Sequence, residues 1–407
     1  MAVGGMIGGG IFSTLGVVIE IAGAWAWLSF VAAGLVALAA GYSYVHLAGH
    51  YGKGGGAFTF LREIDAKGFA GGLAWILIVG YVLTNAVYAF TFGQYLGNLI
   101  ELGPWFPRAA ALGIVAVFVA LNLRGVGEAG GVEIFLVWFK LIVLTSLAAW
   151  GLAQWDWPMV SRGIPDSGIF AAVFGAASVF MAYEGFQLLT YDYDDIDSPK
   201  KTLPWAVLSA IAIVILVYVL IALGTAMLVG ADTIVENAEV ALAVAGKQAL
   251  GTWGLVIVTI AAAFSTGSAI NSTVFATARL ARDVAAGGEL PAALAHENDA
   301  GIPDRAIIGM GLLAGSLAAV GSLATLVEAA SLAFLFTFAV VSGLAFKQRT
   351  GSRAVTGFGA LAASAATVAL IVRLVETDLL ALGFLALLVV LAVFVRPIVL
   401  RYVETEC

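Results

Sequence analysis

The chain has 407 residues, 62% of them hydrophobic and 11% charged, against about 45–50% and about 25% in soluble domains, and its mean hydropathy is +1.03. This excludes an ordinary soluble domain and points to an all-α polytopic membrane protein, since the alternating strands of about ten residues that build an outer-membrane barrel are missing. A net charge of −7 argues against a polybasic surface for nucleic acid or anionic lipid, and one cysteine, Cys407, excludes an intrachain disulfide.

A membrane-crossing helix takes about 20 apolar residues. Twelve stretches meet that need, near residues 2–22, 25–48, 70–98, 107–123, 131–153, 169–192, 203–229, 250–278, 305–323, 325–346, 354–375 and 378–395. No loop between them is long enough for a soluble domain, and no charged leader with a small-residue cleavage site marks a signal peptide. With a cytoplasmic N-terminus, fourteen lysines and arginines, from Lys53 to Arg401, fall on inner loops or the C-terminal tail. Four, Arg108, Arg162, Lys247 and Arg373, fall on outer ones. Basic loops stay cytoplasmic, so both termini are expected in the cytoplasm of a multi-pass plasma-membrane protein. Trp25, Trp27, Trp105, Trp155 and Trp157 sit at outer span ends as interfacial anchors.

The first span carries "GGMIGGGIF", Gly4 to Phe12. Glycine weakens a helix by ~1 kcal/mol relative to alanine. In lipid an unwound segment survives only where it lines a protein cavity, so Gly8, Gly9 and Gly10 mark an expected break. A second break is expected in the sixth span, "FMAYEGFQ", where Glu184 and Gly185 interrupt an apolar run. Each break opens a block of five spans, 1–153 and 169–346, and an odd number of spans gives the blocks opposite orientation; two further helices, 354–395, follow. Glycine-interrupted helices at matching positions of inverted halves point to a transporter's binding site. Half-helix N-termini suit a carboxylate and freed carbonyls suit an ammonium. The competing reading is that the glycines only let helices pack closely. Seven residues precede Gly8, about 10.5 Å of helix against the ~15 Å of half a membrane, so a late-assigned start or a trimmed chain is expected.

Lys140 interrupts "FLVWFKLIVLTSLA" near the middle of the fifth span. Its ammonium reaches about 6 Å, short of the ~15 Å to either interface. Charge inside a membrane is rare and by default functional, which makes Lys140 a candidate proton carrier; the alternative is a fixed structural cation. Glu184 is a candidate for selecting a cationic amine by charge, or for sharing a proton with the site; the alternative is a carboxylate facing a wet vestibule. His46 and His50 share a helix face but lack an HExxH frame or further ligands. The run "YDYDDIDSP" lacks calcium-loop spacing, and "HENDAGIPDR" reads as a solvated loop. Neither GxxxxGK(S/T) nor GxSxG occurs. No metal, cofactor or enzymatic activity is expected.

Several of these segments match a known family. "GGMIGGGIF" is similar to the G-x-I-G-S-G-I-F signature in the first helix of amino acid–polyamine–organocation transporters. "LAGHYGKGGGAFTFLRE" resembles that family's loop after helix two. "MAYEGFQ" followed by "SPKKTLP" resembles its helix-six F-A-Y-x-G-F and N-P-x-K-x-x-P, and "RLARDVAAGGELP" its helix-eight exit, with extra residues before Gly-Glu-Leu-Pro. The matches are collinear from Gly4 to about Lys347. The resemblance implies a LeuT-type five-plus-five inverted repeat with broken helices one and six and two extra C-terminal helices. It implies a secondary permease for amino acids or related amines that works by alternating access.

Carried over by residue, the resemblance implies that the amides of Gly8, Gly9 and Gly10 hold a substrate carboxylate. Carbonyls around Phe180, Met181 and Tyr183 would accept from its amino group. Gly9 stands where serine is usual, and Met181 where many members close an aromatic over the substrate, so Phe180, Tyr183 or Phe186 would gate instead. Asn85 matches an asparagine that some antiporters of the family use near the substrate; it could equally bridge helices. In some sodium-independent relatives a helix-five lysine takes the place of the bound ion. Lys140 would then adjoin the helix-one break and the hydroxyls of Ser265 and Thr266. The expected function is proton-coupled amino acid symport across the lipid bilayer. The alternatives are a sodium-independent amino acid/amine antiporter and, from another class, a membrane receptor or channel on the same scaffold.

Overall fold

The computed structural model describes residues 2–125 and 130–377, with isolated positions up to 386. Of the expected twelfth span, 378–395, only isolated positions are described, and Cys407 lies outside the described residues. Each of the other eleven spans falls on helical structure. α1 (Ala2–Ala22) leads through a tight turn at Gly23–Trp25, where Gly23 takes φ +55°, into α2 (Ala26–Tyr51). Glycine tolerates that left-handed conformation without a Cβ penalty. A short α3 (Gly56–Arg62) precedes α4 (Lys67–Ile100), α5 (Phe106–Leu123) and α6 (Gly130–Gln154). α7 (Ala171–Ser178) continues as two 3-10 turns, Phe180–Tyr183 and Phe186–Thr190. α8 (Pro199–Val229) starts on Pro199, at a position where the missing N–H would have had no intrahelical partner. α9 (Ala231–Glu236) and α10 (Ala241–Ala286) follow, α10 being kinked at Leu250–Gly251 so that the expected 250–278 span is its second part. α11 (Asp304–Val320), α12 (Leu323–Gln348) and α13 (Arg353–Thr377) complete the described chain.

Among the described residues, eight helical stretches are long and apolar enough to cross a membrane, and nine with the bent sixth helix. One of the eight joins α1 and α2 over 49 residues, which is about 70 Å of helix, more than twice the ~30 Å hydrocarbon core. It therefore holds more than one crossing. α11 has 17 residues, just short of a full span.

α4 lies at the centre, packed by α10, α12, α5 and α11. Four of the first five spans pack against the span five places later: α1 on the bent sixth helix, α2 on α8, α4 on α10 and α5 on α11. The rim shows the expected solvent logic of a bilayer, in which apolar side chains face outward. On α6, Ile134, Phe135, Trp138 and Ile142 are exposed while Lys140, Leu144, Leu147 and Ala148 are buried on another face. Sequence spacing alone thus turns Lys140 into the protein.

The sixth helix is broken as expected, with its two arms bent by 57°. The first is not. α1 runs through Gly8, Gly9 and Gly10 as continuous α-helix, and none of the three takes a positive φ. The glycines instead allow close approach. A Cβ on Gly8 would lie 2.6 Å from the Cβ of Ala269 on α10, one on Gly9 would run into the Tyr88 ring on α4, and one on Gly10 would lie 2.8 Å from the Ala182 carbonyl oxygen. The expectation of two broken helices holds for the sixth alone: in α1 the three glycines make room for α10, α4 and the sixth helix on successive sides of an unbroken helix.

Candidate substrate and coupling site

The break in the sixth helix is built from backbone that has left the helical ladder. Val179 ends α7, Glu184 is extended (φ −65°, ψ 147°) and Gly185 takes φ +120°, a conformation open to glycine. Unpaired backbone groups in lipid cost several kcal/mol each, and α12 meets that need. The Ser331 hydroxyl donates to the Ser178 carbonyl at 2.7 Å and accepts the Met181 N–H at 3.0 Å. Ser331→Ala leaves both groups short of a partner. The expected loss is about 1–3 kcal/mol of stability, read as a fall in the unfolding midpoint of purified protein in detergent; an unchanged midpoint would contradict this role.

Gly185 packs directly on α1, where a Cβ would lie 3.1 Å from the backbone of Gly5 and Met6. The Tyr218 hydroxyl, from α8, sits between the carbonyl oxygens of Met6 at 2.6 Å and Ala182 at 2.9 Å and bridges the same contact. Glu184 is buried at 2% exposure. Its carboxylate accepts from the Tyr88 hydroxyl and from Gln187 Nε2, each at 3.3 Å. Gln187 Nε2 also reaches the Tyr81 hydroxyl at 3.1 Å, which pairs with Tyr191 at 3.1 Å. Among the described residues, the groups bonded to the Glu184 side chain are neutral.

Lys140 is 1% exposed and donates to the Gly4 carbonyl at 2.7 Å. Ser265 donates to the Ile7 carbonyl, one turn along the same helix, at 2.9 Å. Lys140 and Ser265 thus each bond to an α1 carbonyl, at Gly4 and Ile7, on unbroken helix. Thr266 instead donates to Ala262 of its own helix at 2.7 Å. Asn85 is buried; its Nδ2 donates to the Tyr81 carbonyl at 3.0 Å, and its Oδ1 has no bonded partner among the described residues. Phe180, Met181, Tyr183 and Phe186 are all fully buried. Phe180 and Phe186 pack on Phe338 with centroids 5.6 and 5.2 Å apart, Tyr183 donates to the Phe30 carbonyl at 2.7 Å, and the Met181 carbonyl accepts the Glu184 N–H at 2.9 Å. A cavity of about 1560 Å³, on the side of Lys53, Arg62, Arg124 and Arg279, reaches inward as far as Gly4, Gly5 and Gly185. Gly8, Gly9 and Gly10 lie beyond its inner end.

The sequence pattern of the amino acid permease family matches residues 1–402. The chain belongs to the amino acid permease family. It is similar to an uncharacterized protein of Methanocaldococcus jannaschii, 35% identical over 294 residues, 72% of this chain and 68% of that one. It is 31% identical to the inner membrane transport protein YbaT of Escherichia coli, covering 72% of this chain and 68% of the relative. It is 27% identical to the serine/threonine exchanger SteT of Bacillus subtilis, over 72% and 67%. The permease is therefore a multi-pass membrane transporter.

Sequence reasoning about the permease missed several residues that organise this region. Tyr81, Tyr88 and Gln187 surround Glu184, and Tyr218 and Ser331 hold the broken helix. Another is Glu328 of α12, which is 4% exposed. It accepts from Ser178 Oγ at 2.9 Å and pairs with Arg373 Nε of α13 at 2.9 Å. Arg373, counted as an outer-side charge from the sequence, thus steadies a buried carboxylate next to the break. The signal was available: Tyr81, Asn85, Tyr88 and Tyr95 fall at spacings of four, three and seven, which lines one face of a helix.

Proposed function

We propose that the permease is a secondary active, proton-coupled amino acid symporter of the plasma membrane. It works by alternating access between two inverted five-helix blocks, with both termini in the cytoplasm. The observation that carries this reading is Lys140: a buried ammonium on α6 bonded to the Gly4 carbonyl, beside the inner end of the large cavity. Its partner Gly4 lines that cavity, so a proton gained or lost by Lys140 would act directly on the end of α1 that faces it. The pairing of each of four spans with the span five later supports the inverted repeat.

The substrate site in this reading is the contact of α1 with the broken sixth helix. Gly8, Gly9 and Gly10 would face the carboxylate once α1 opens, and the carbonyls around Phe180, Met181 and Tyr183 would face the ammonium. Asn85 Oδ1 offers a further acceptor, and Glu184 is the charge that would favour a cationic substrate or hold a proton. Phe180, Tyr183 and Phe186 would close over the bound molecule. Obligate exchange is the second reading, favoured by the likeness to a serine/threonine exchanger. Uptake of a radiolabelled amino acid panel into proteoliposomes tests both. Saturable accumulation without amino acid inside supports symport; uptake only into vesicles preloaded with amino acid supports exchange. Unsaturable, passive equilibration would point to a channel.

A further inference from the structure

Gly9 stands where the family signature has serine, and the structure gives a physical reason. A Cβ at residue 9 would run into Cδ1 and Cε1 of the Tyr88 ring and lie 3.0 Å from Cγ. The ring rests on the bare backbone of α1, in the room a serine side chain would need. The same side chain extends to the sixth helix, where its hydroxyl donates to Glu184 Oε2 at 3.3 Å. Tyr88 is 1% exposed and comes from α4, a third element, so it spans the gap between the α1 glycines and the break. Gly4, Gly5 and Gly185 line the large cavity and Tyr88 does not. We propose that Tyr88, entering from α4, is a further gate beside the sixth-helix aromatics and the size-selecting residue of the amino acid site. In this conformation its ring fills the volume over Gly9, and it swings aside, releasing Glu184, to admit a substrate side chain. Gly9 and Tyr88 act as a matched pair: a small residue at 9 permits a large one at 88.

This rests on the reading of the α1 and sixth-helix contact as the substrate site, and the test separates the two. Wild-type protein, Gly9→Ser, Tyr88→Ala, Tyr88→Phe and the double variant Gly9→Ser/Tyr88→Ala are reconstituted and assayed with amino acids graded by side-chain size. Gly9→Ser is expected to lower uptake by at least about tenfold, the scale of forcing a side chain into a filled core. The double variant regains the activity of Tyr88→Ala. Tyr88→Ala shifts preference toward bulkier substrates, whereas Tyr88→Phe, which keeps the ring, retains the wild-type size order. Should Gly9→Ser fail to fold, the size preference of Tyr88→Ala against Tyr88→Phe still decides. An unchanged order in Tyr88→Ala, or Gly9→Ser activity equal to wild type, overturns the gate. Failure of wild-type protein to take up any amino acid, into empty or preloaded vesicles, would instead overturn the site reading beneath it.

Discussion

Lys140→Ala is expected to abolish uptake driven by a pH gradient while leaving measurable substrate binding. The Nζ–Gly4 bond is buried, and alanine removes both the bond and the titratable group. Gradient-driven uptake should fall at least about tenfold, to the level seen without a gradient. Lys140→Arg distinguishes coupling from a merely structural cation. Arginine keeps the charge but does not release a proton in proteins, so it should restore folding and binding and leave gradient-driven uptake low. Binding is read by scintillation proximity in detergent and uptake in proteoliposomes. Normal pH-driven uptake by Lys140→Ala would remove the residue from the mechanism.

Glu184→Gln should change which substrates are preferred and flatten the response to pH. Glutamine keeps the side-chain length and an acceptor oxygen for Tyr88 but loses the negative charge. A charged hydrogen bond contributes about 1.5–3 kcal/mol more than none, so the ratio of cationic to neutral substrate uptake should fall about tenfold or more. Competition of lysine or arginine against alanine, measured across a pH series in both proteins, checks it. Identical preference and identical pH dependence in the variant would assign Glu184 to packing alone.

The spans were readable because lipid leaves the chain few options: apolar runs of sufficient length become helices, and basic loops mark one side. The break at Glu184–Gly185 was readable for a related reason, since a carboxylate and a glycine together in an apolar run fit neither lipid nor an uninterrupted helix. Gly8 to Gly10 gave the same local signal with a different outcome. Glycine permits both unwinding and close approach, and the choice is made by Ala269, Tyr88 and Ala182, which arrive from distant sequence. Lys140 announced itself by its cost in lipid, but its partner Gly4 is a backbone carbonyl with no side-chain signature. Glu328 and Arg373 were obscured because they sit near span ends, where charges are common, and only the packing of α12 on α13 brings them together beside the sixth helix.

The central claim is that transport of an amino acid is coupled to proton movement through this site. The direct measurement is accumulation of a radiolabelled amino acid by wild-type proteoliposomes with no amino acid inside, with and without an inward-directed proton gradient. The account predicts concentrative uptake when the outside is more acidic, collapsing to equilibration when a protonophore dissipates the gradient. Accumulation indifferent to the gradient, or appearing only against internal amino acid, would contradict it.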